Sequence, residues 1–271
     1  MCYGRKSYYF KHLDDANELL QHKNSLAHNN GQYLAEIVDA KVVRQFGIEA
    51  PNYQLAELDG VKGVVSKDFN MTHGKVERIS DYIDICDISL QQIKDLEEYA
   101  SFPAKTKKEL ELASYLSVGI GNEDCHSGNI AVYHNRKDNG VILYDFSFSY
   151  PAEIMDKKHR SATRDYTQSF RNNITEYGIE NKSRGQYLYY NYFNDLNYSQ
   201  YVDTNVLREY VTKLKDLLNH DACMTEVRAE IKDEYGVYPS SKFTDLVRFT
   251  LETTGEYFED ALQQRERYFG E

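Results

Sequence analysis

The stretch from Gly121 to Tyr150, GNEDCHSGNIAVYHNRKDNGVILYDFSFSY, limits what this chain can become more than any other. Two short apolar runs, Ile130 to His134 and Val141 to Asp145, flank the polar segment RKDNG. Apolar, β-branched runs of that length bounded by turn residues read as strands, and Asn-Gly is a strong hairpin signal. The stretch therefore predicts a hairpin that bends at Asn139-Gly140. Such a bend sets the start of the first strand beside the end of the second. Asn129 and Asp145 then share one end, separated by one inter-strand spacing of about 5 Å. Asp124 lies in the loop that enters the hairpin at that same end. Two carboxylates and an amide oxygen converge there.

A hard-oxygen cluster of this kind suits Mg²⁺, which keeps several waters and is held by one or two carboxylates together with substrate phosphates. It lacks the imidazole or thiolate set that zinc takes. A carboxylate outside the metal shell can accept a proton from an incoming hydroxyl. Metal, base and nucleotide together are the equipment of phosphoryl transfer.

Composition agrees with a folded enzyme and narrows its partners. The chain has 271 residues, 41% of them apolar, enough for one large domain or two lobes around a packed core. Its formal charge of −11 repels phosphate backbones and anionic headgroups, so neither nucleic acid nor a membrane is expected as the main partner. A nucleotide chelated to a divalent cation stays compatible, because the ion brings positive charge with it. Cys2, Cys86, Cys125 and Cys223 are scattered without C-x-x-C spacing, which argues against a disulfide framework and a thiolate metal site. No general base is placed for Cys125 as a nucleophile. The N-terminus lacks the apolar core of a signal peptide and no run of about 20 apolar residues occurs, so the chain reads as cytoplasmic.

Along the chain, SYYFK (Ser7 to Lys11) reads as a strand, followed by a polar, loop-like stretch with a short helical turn near Ala16 to Gln21. Apolar residues at Leu34, Ile37, Val38, Val42 and Phe46 give an amphipathic helix closed by Gly47. APNYQLAEL and VKGVVSKDF are strands joined at Asp59-Gly60, and Asn70 to Asp81 is a polar connection. From Ser89, a capping-box N-terminus, the chain turns helical: SLQQIKDLEEYA, TKKELELASYLSVGI, then Thr204 to Asn219, Ala222 to Tyr235 and Ser241 to Arg267. Val206, Tyr210, Leu214 and Leu217 form one stripe. The tyrosine-rich run Tyr187 to Tyr201 reads as packed amphipathic rings. The expected architecture is α+β: a small mixed β/α lobe over residues 1–75 and a larger, mostly helical lobe over 76–271 that carries the catalytic hairpin, 121–150.

The pattern D-x-H-x-x-N (Asp124, His126, Asn129), followed by Asp145-Phe146, resembles the catalytic loop and metal-binding Asp of protein kinases, in the version carried by HipA-like serine/threonine kinases and the lipid-kinase branch. The upstream pieces fall in the same order: a strand ending in Lys11, a helix E-x-x-x-A-K-x-x-x-x-F-G-I-x-x-P from Glu36 to Pro51, and a strand ending in Ser66-Lys67-Asp68-Phe69. The likeness spans Ser7 to Tyr150.

The resemblance implies a two-lobed protein-kinase-like fold with ATP and Mg²⁺ as cofactors. It implies Asp124 as the base, Asn129 and Asp145 as metal ligands, and His126 as the organiser of the catalytic loop. Lys11 would neutralise the nucleotide phosphates, paired with Glu36. Val65, Lys67 and Asp68 would meet the nucleoside, the backbone from Val65 to Phe69 as the hinge and Asp68 near the ribose. The acceptor would be Ser or Thr of a protein, with the toxins of toxin–antitoxin pairs as the type and autophosphorylation as one outcome; Ser25 is a candidate position.

Departures from the pattern leave two further readings. Ser147 stands where kinases carry Gly after Asp-Phe, and no glycine-rich loop precedes Lys11. That piece is pared away, supplied by an antitoxin or other partner chain, or replaced by KNSLAHNNGQ (Lys23 to Gln32). These features also fit a pseudokinase that binds nucleotide as an interaction module. A small-molecule phosphotransferase of the H-x-D-x-x-x-x-N type is the other alternative, and Asn122 stands where it needs His.

Overall fold

The computed structural model describes residues 2–3, 6–12, 26–83, 90–122, 126–135, 138–146, 149, 196, 199–219, 225, 229 and 241–270. Asp124, Cys125, Ser147, Ser25, Ser89 and the helical turn expected at Ala16 to Gln21 lie outside them, as do most of Tyr187–Tyr201 and Ala222–Tyr235.

Four strands, β1 (Cys2–Tyr3), β2 (Lys6–His12), β3 (Gln54–Leu58) and β4 (Val61–Lys67), pair antiparallel in the order β1-β2-β4-β3. Leu58 faces Val61 across a two-residue turn in which Asp59 and Gly60 have φ of 52° and 82°. Both are left-handed, as the tight hairpin turn with right-handed twist requires, so the Asp-Gly reading holds.

Helix α1 (Leu26–Gln45) lies between β2 and β3 in the chain. It begins well before the expected Leu34, so LAHNNGQ is helix and not a loop over phosphates. Nor is it amphipathic at its centre. Residues Ala35 to Ala40 are all buried, Glu36 and Asp39 among them, because the helix is enclosed on more than one side. Gly47 takes φ 82° just past its end, and Lys213 donates to the Phe46 carbonyl at 2.8 Å.

Asn70 to Asp81, expected as a polar connection, falls in a short helix α2 (Phe69–His73), a strand β5 (Lys75–Arg78) and a 3₁₀ turn (Ile79–Asp81); Phe69, expected to end the strand before it, begins the helix. β5 joins β6 (Ile130–His134) and β7 (Asn139–Leu143) in a second antiparallel sheet, β5-β6-β7. The hairpin is present with Ile130 opposite Leu143, but it bends at Asn135 to Asp138; Asn139 and Gly140 are already strand. Asn135 N–H donates to the Asp138 carbonyl at 2.9 Å and Asp138 N–H returns to Asn135 Oδ1 at 2.9 Å. Gly140 is needed for another reason. A Cβ there would stand 2.5 Å from Glu109 Oε2 and 2.9 Å from the Tyr133 hydroxyl.

The expected helix over residues 89–100 is broken into α3 (Leu90–Lys94) and a 3₁₀ turn (Glu97–Ser101). α4 (Ala104–Gly119) is buried along most of its length and packs on β7, α5 (Thr204–Asn219) and α6 (Ser241–Phe269). Val206, Tyr210 and Leu214 of the expected α5 stripe are buried. Tyr210 stacks among Phe46, Tyr115 and Phe258 with ring centroids 5.2, 5.6 and 4.5 Å away. This cluster ties the end of α1 to α4, α5 and α6, and aromatic pairs of this kind add about 0.5–1.5 kcal/mol each beyond their burial.

Candidate active site

Two short pairings set α1 and β7 against each other. Glu49, just after α1, donates its N–H to the Val141 carbonyl at 3.2 Å and accepts from Leu143 N–H at 3.0 Å. That clip carries Glu36 toward the end of the hairpin. There Tyr144 N–H donates to the Asn129 carbonyl at 3.1 Å, so Asn129 and Asp145 do share one end.

Lys11 reaches the same place from β2. Its ammonium donates to Glu36 Oε1 at 2.6 Å and to Asp145 Oδ1. The Glu36 side chain is 0% exposed, while Lys11 and Asp145 are 31% and 35% exposed. Burial alone would lower the Lys11 pKa, but the charges of Glu36 and Asp145 outweigh it and hold the ammonium above its ordinary value. Glu36 is raised, by burial first, against the opposing pull of Lys11. The three form a chain: a deep carboxylate, a cation, and a carboxylate at the surface of a cavity.

Asp145 itself sits at φ 64°, a left-handed conformation uncommon for any residue but glycine. Its flanking peptide groups are held by three side chains. Tyr53 Oη accepts from Asp145 N–H at 3.4 Å, Asn122 Nδ2 donates to the Asp145 carbonyl at 3.1 Å, and Glu36 Oε2 accepts from Phe146 N–H at 3.0 Å. The Tyr53 pKa is held well above its ordinary value, by burial first and then by the charge of Glu36.

A cavity of about 290 Å³ lies between the two sheets, near the lower end of the roughly 300–1,000 Å³ usual for small-molecule sites. Tyr9, Lys11, Val64 and Ser66 line one wall, Val76, Arg78, Ala131 and Tyr144 another; Tyr53 and Asp145 are also on its lining. Burial, the largest influence, pushes the Tyr144 phenol up to about 12, and its hydroxyl donates to the Gly128 carbonyl at 2.5 Å.

Of the residues singled out from sequence, Lys11, Glu36 and Asp145 meet directly. Asn129 is 4% exposed at the same hairpin end. His126 Nδ1 accepts from Gly128 N–H at 3.0 Å, a bond that shapes the loop before Asn129. Asp124 lies outside the described residues. Val65 and Lys67 are not on the cavity lining; alternation along β4 gives that face to Val64 and Ser66, one residue out of phase with the sequence reading. Asp68 does line it, but its carboxylate caps α2, accepting from Asn70 N–H at 3.0 Å. Tyr53, Arg78 and the role of Asn122 were missed. Tyr9 carried a readable signal, being two residues before Lys11 on the same strand face.

No protein-family model matches the chain, and no curated protein matches it in sequence. Its structure is similar to that of the proinflammatory kinase CtkA of Helicobacter pylori, with a TM-score of 0.63 and 12% identity over 100% of this chain and 94% of that one. The fold is that of a kinase. A chain from the Shewanella oneidensis MR-1 toxin–antitoxin complex of HipA, HipB and operator DNA aligns at TM-score 0.40 and 12% identity, over 88% of this chain and 56% of that one. The kinase-like resemblance in the sequence thus extends to the fold, through CtkA. Among the described residues no helix is long and apolar enough to cross a membrane.

Proposed function

We propose that the chain is an ATP- and Mg²⁺-dependent kinase that phosphorylates Ser or Thr of a protein. The observation that carries this reading is the meeting of Lys11, Glu36 and Asp145 at the edge of the inter-sheet cavity. A buried acid that fixes a cation, which in turn reaches a cavity carboxylate, is an arrangement for gripping a metal-chelated polyphosphate.

The donors fit the metal. Asn129 and Asp145 offer the hard oxygens that Mg²⁺ takes alongside phosphates and water. When bound, Mg²⁺ supplies charge neutralisation at the transferring phosphoryl group. Lys11, held by Glu36, would offer its ammonium to the phosphate oxygens, and Asp145 would offer its carboxylate to the metal. Tyr9, Val64, Ser66 and Ala131, on the cavity lining, would pack against the nucleoside. Asp124 accepts the proton of the acceptor hydroxyl.

The reading includes a division near residue 75 into a smaller β/α lobe and a larger helical lobe, supported by Lys75 being the first residue to pair with the second sheet. An antitoxin or other partner chain is proposed to complete the phosphate end, since Leu26 to Gln32 is helix and not a loop that could cover it. The test is incubation of the chain with γ-labelled ATP, Mg²⁺ and a protein extract, with Asp145→Asn alongside. Label on Ser or Thr that the variant loses supports the reading. No label on any protein, itself included, and no ATP turnover with sugars or amino-alcohols would sink it. Turnover with those small acceptors alone would move the chain to the small-molecule class.

A further inference from the structure

We propose that Tyr53 is a positioning residue, whose hydroxyl holds Asp145 in the left-handed conformation that turns its carboxylate toward Lys11 and the cavity; this rests on the kinase reading above. Asp145 has φ 64°, and a non-glycine residue persists there only when its surroundings over-determine it. Of the three side chains that hold it, Asn122 and Glu36 lie on the loop before the hairpin and on α1. Tyr53 alone comes from the segment that leads into β3. Its hydroxyl accepts from Asp145 N–H at 3.4 Å, so the contact joins the segment before β3 to the backbone of the hairpin end.

The connection has a consequence for the segment as a whole. Tyr53 is also on the cavity lining, two residues after Pro51, whose carbonyl is held by Arg44 Nη1 at 2.8 Å. Arg44 of α1 thus anchors the backbone two residues before Tyr53, while the Tyr53 hydroxyl reaches the hairpin end. Where kinases place glycine after Asp-Phe, this chain has Ser147. The tyrosine helps to set the conformation at Asp145 from outside, and coupling between metal and nucleotide is expected to weaken without its hydroxyl.

Tyr53→Phe removes the hydroxyl and keeps the ring; Tyr53→Met, of similar volume, serves if the first fails to fold. In the full chain, amide exchange of the 139–149 segment is measured without ligand, and calorimetry gives affinities for adenosine and for ADP with and without Mg²⁺. The expected result is exchange at the hairpin end faster by about tenfold and a gain in ADP affinity from Mg²⁺ smaller by about tenfold, whatever the change in adenosine affinity from the altered cavity wall. Unchanged exchange together with unchanged Mg²⁺ coupling overturns the role of Tyr53 and leaves the kinase reading standing. Absence of adenosine and ADP binding in the parent chain overturns both.

Discussion

At the scale of single residues, the Lys11–Glu36 pair separates stability from activity. Lys11→Met leaves Glu36, 0% exposed, without its cation. Breaking a buried pair costs about 3–5 kcal/mol, and the partial exposure of Lys11 reduces that to about 1–3 kcal/mol. Phosphoryl transfer is expected to fall at least about a hundredfold, the cost of losing one preorganised charge. Adding Glu36→Gln removes the stranded charge and keeps an acceptor for Phe146 N–H, so the double variant recovers most of the stability and none of the activity. Urea unfolding beside a kinase assay reads both. The pH dependence has a definite sign. Burial raises the Glu36 pKa above its ordinary value, so between that value and the raised one the folded chain binds the extra proton. Its contribution to stability is complete below about pH 4 and is lost as pH rises through the raised value. Without Lys11 the rise is larger, so the cost of Lys11→Met is smaller at pH 5 than at pH 8. A cost that does not change with pH would mean that Glu36 is hydrated.

At the scale of elements, the β6–β7 hairpin shows what could be read from sequence. Its strands were legible because an apolar run between polar turns has few other solutions. Its bend was not, because Asn139-Gly140 is constrained by α4. Glu109 Oε2 accepts from Val141 N–H at 2.8 Å, and Thr106 donates to Asn139 Oδ1 at 3.0 Å. A glycine kept for close approach looks the same in one sequence as a glycine kept for a turn. Gly140→Ala should therefore destabilise by about 1–3 kcal/mol through displacement of Glu109, as overpacking does, although its own φ is not left-handed. Thermal melting checks this; a loss below about 0.5 kcal/mol would return Gly140 to the turn. The start of α1 was illegible because LAHNNGQ has no apolar period, and β5 because four residues acquire strand geometry only from their partner, β6. The pairing of Lys11 with Glu36 was legible through motif order, whereas Tyr53 had no spacing to announce it. On β4 the cavity is lined by Val64 and Ser66 where the sequence reading took Val65 and Lys67, and one position along a strand is the opposite face.

Over the whole molecule, charge and scaffold act apart from the site. A net charge of −11 opposes the approach of free ATP, and raising salt from about 0.01 to 0.1 M shortens the screening length from about 30 to 10 Å. Metal-free ATP should bind severalfold more tightly over that range, and the Mg²⁺ complex should change less; titration at two ionic strengths decides it. The scaffold's dependence on one buried cation is sharper. Arg265 of α6 is 3% exposed and donates to the carbonyls of Leu196, Ser199 and Val202 at 3.0, 2.9 and 3.0 Å, and to Thr204 Oγ1 at 3.2 Å. It fastens the approach to α5 onto α6, using the planar fork that lysine lacks. Arg265→Met strands those acceptors and should cost about 3–4 kcal/mol, given about 1–3 kcal/mol for a buried polar group left unsatisfied. Arg265→Lys should recover less than half. Neither Arg265 nor any group it holds lines the cavity between the sheets, so nucleotide affinity and turnover, measured well below the midpoint of unfolding, should match the parent chain. Were turnover to fall in proportion to stability, the helical scaffold would be part of the catalytic apparatus and not only its support.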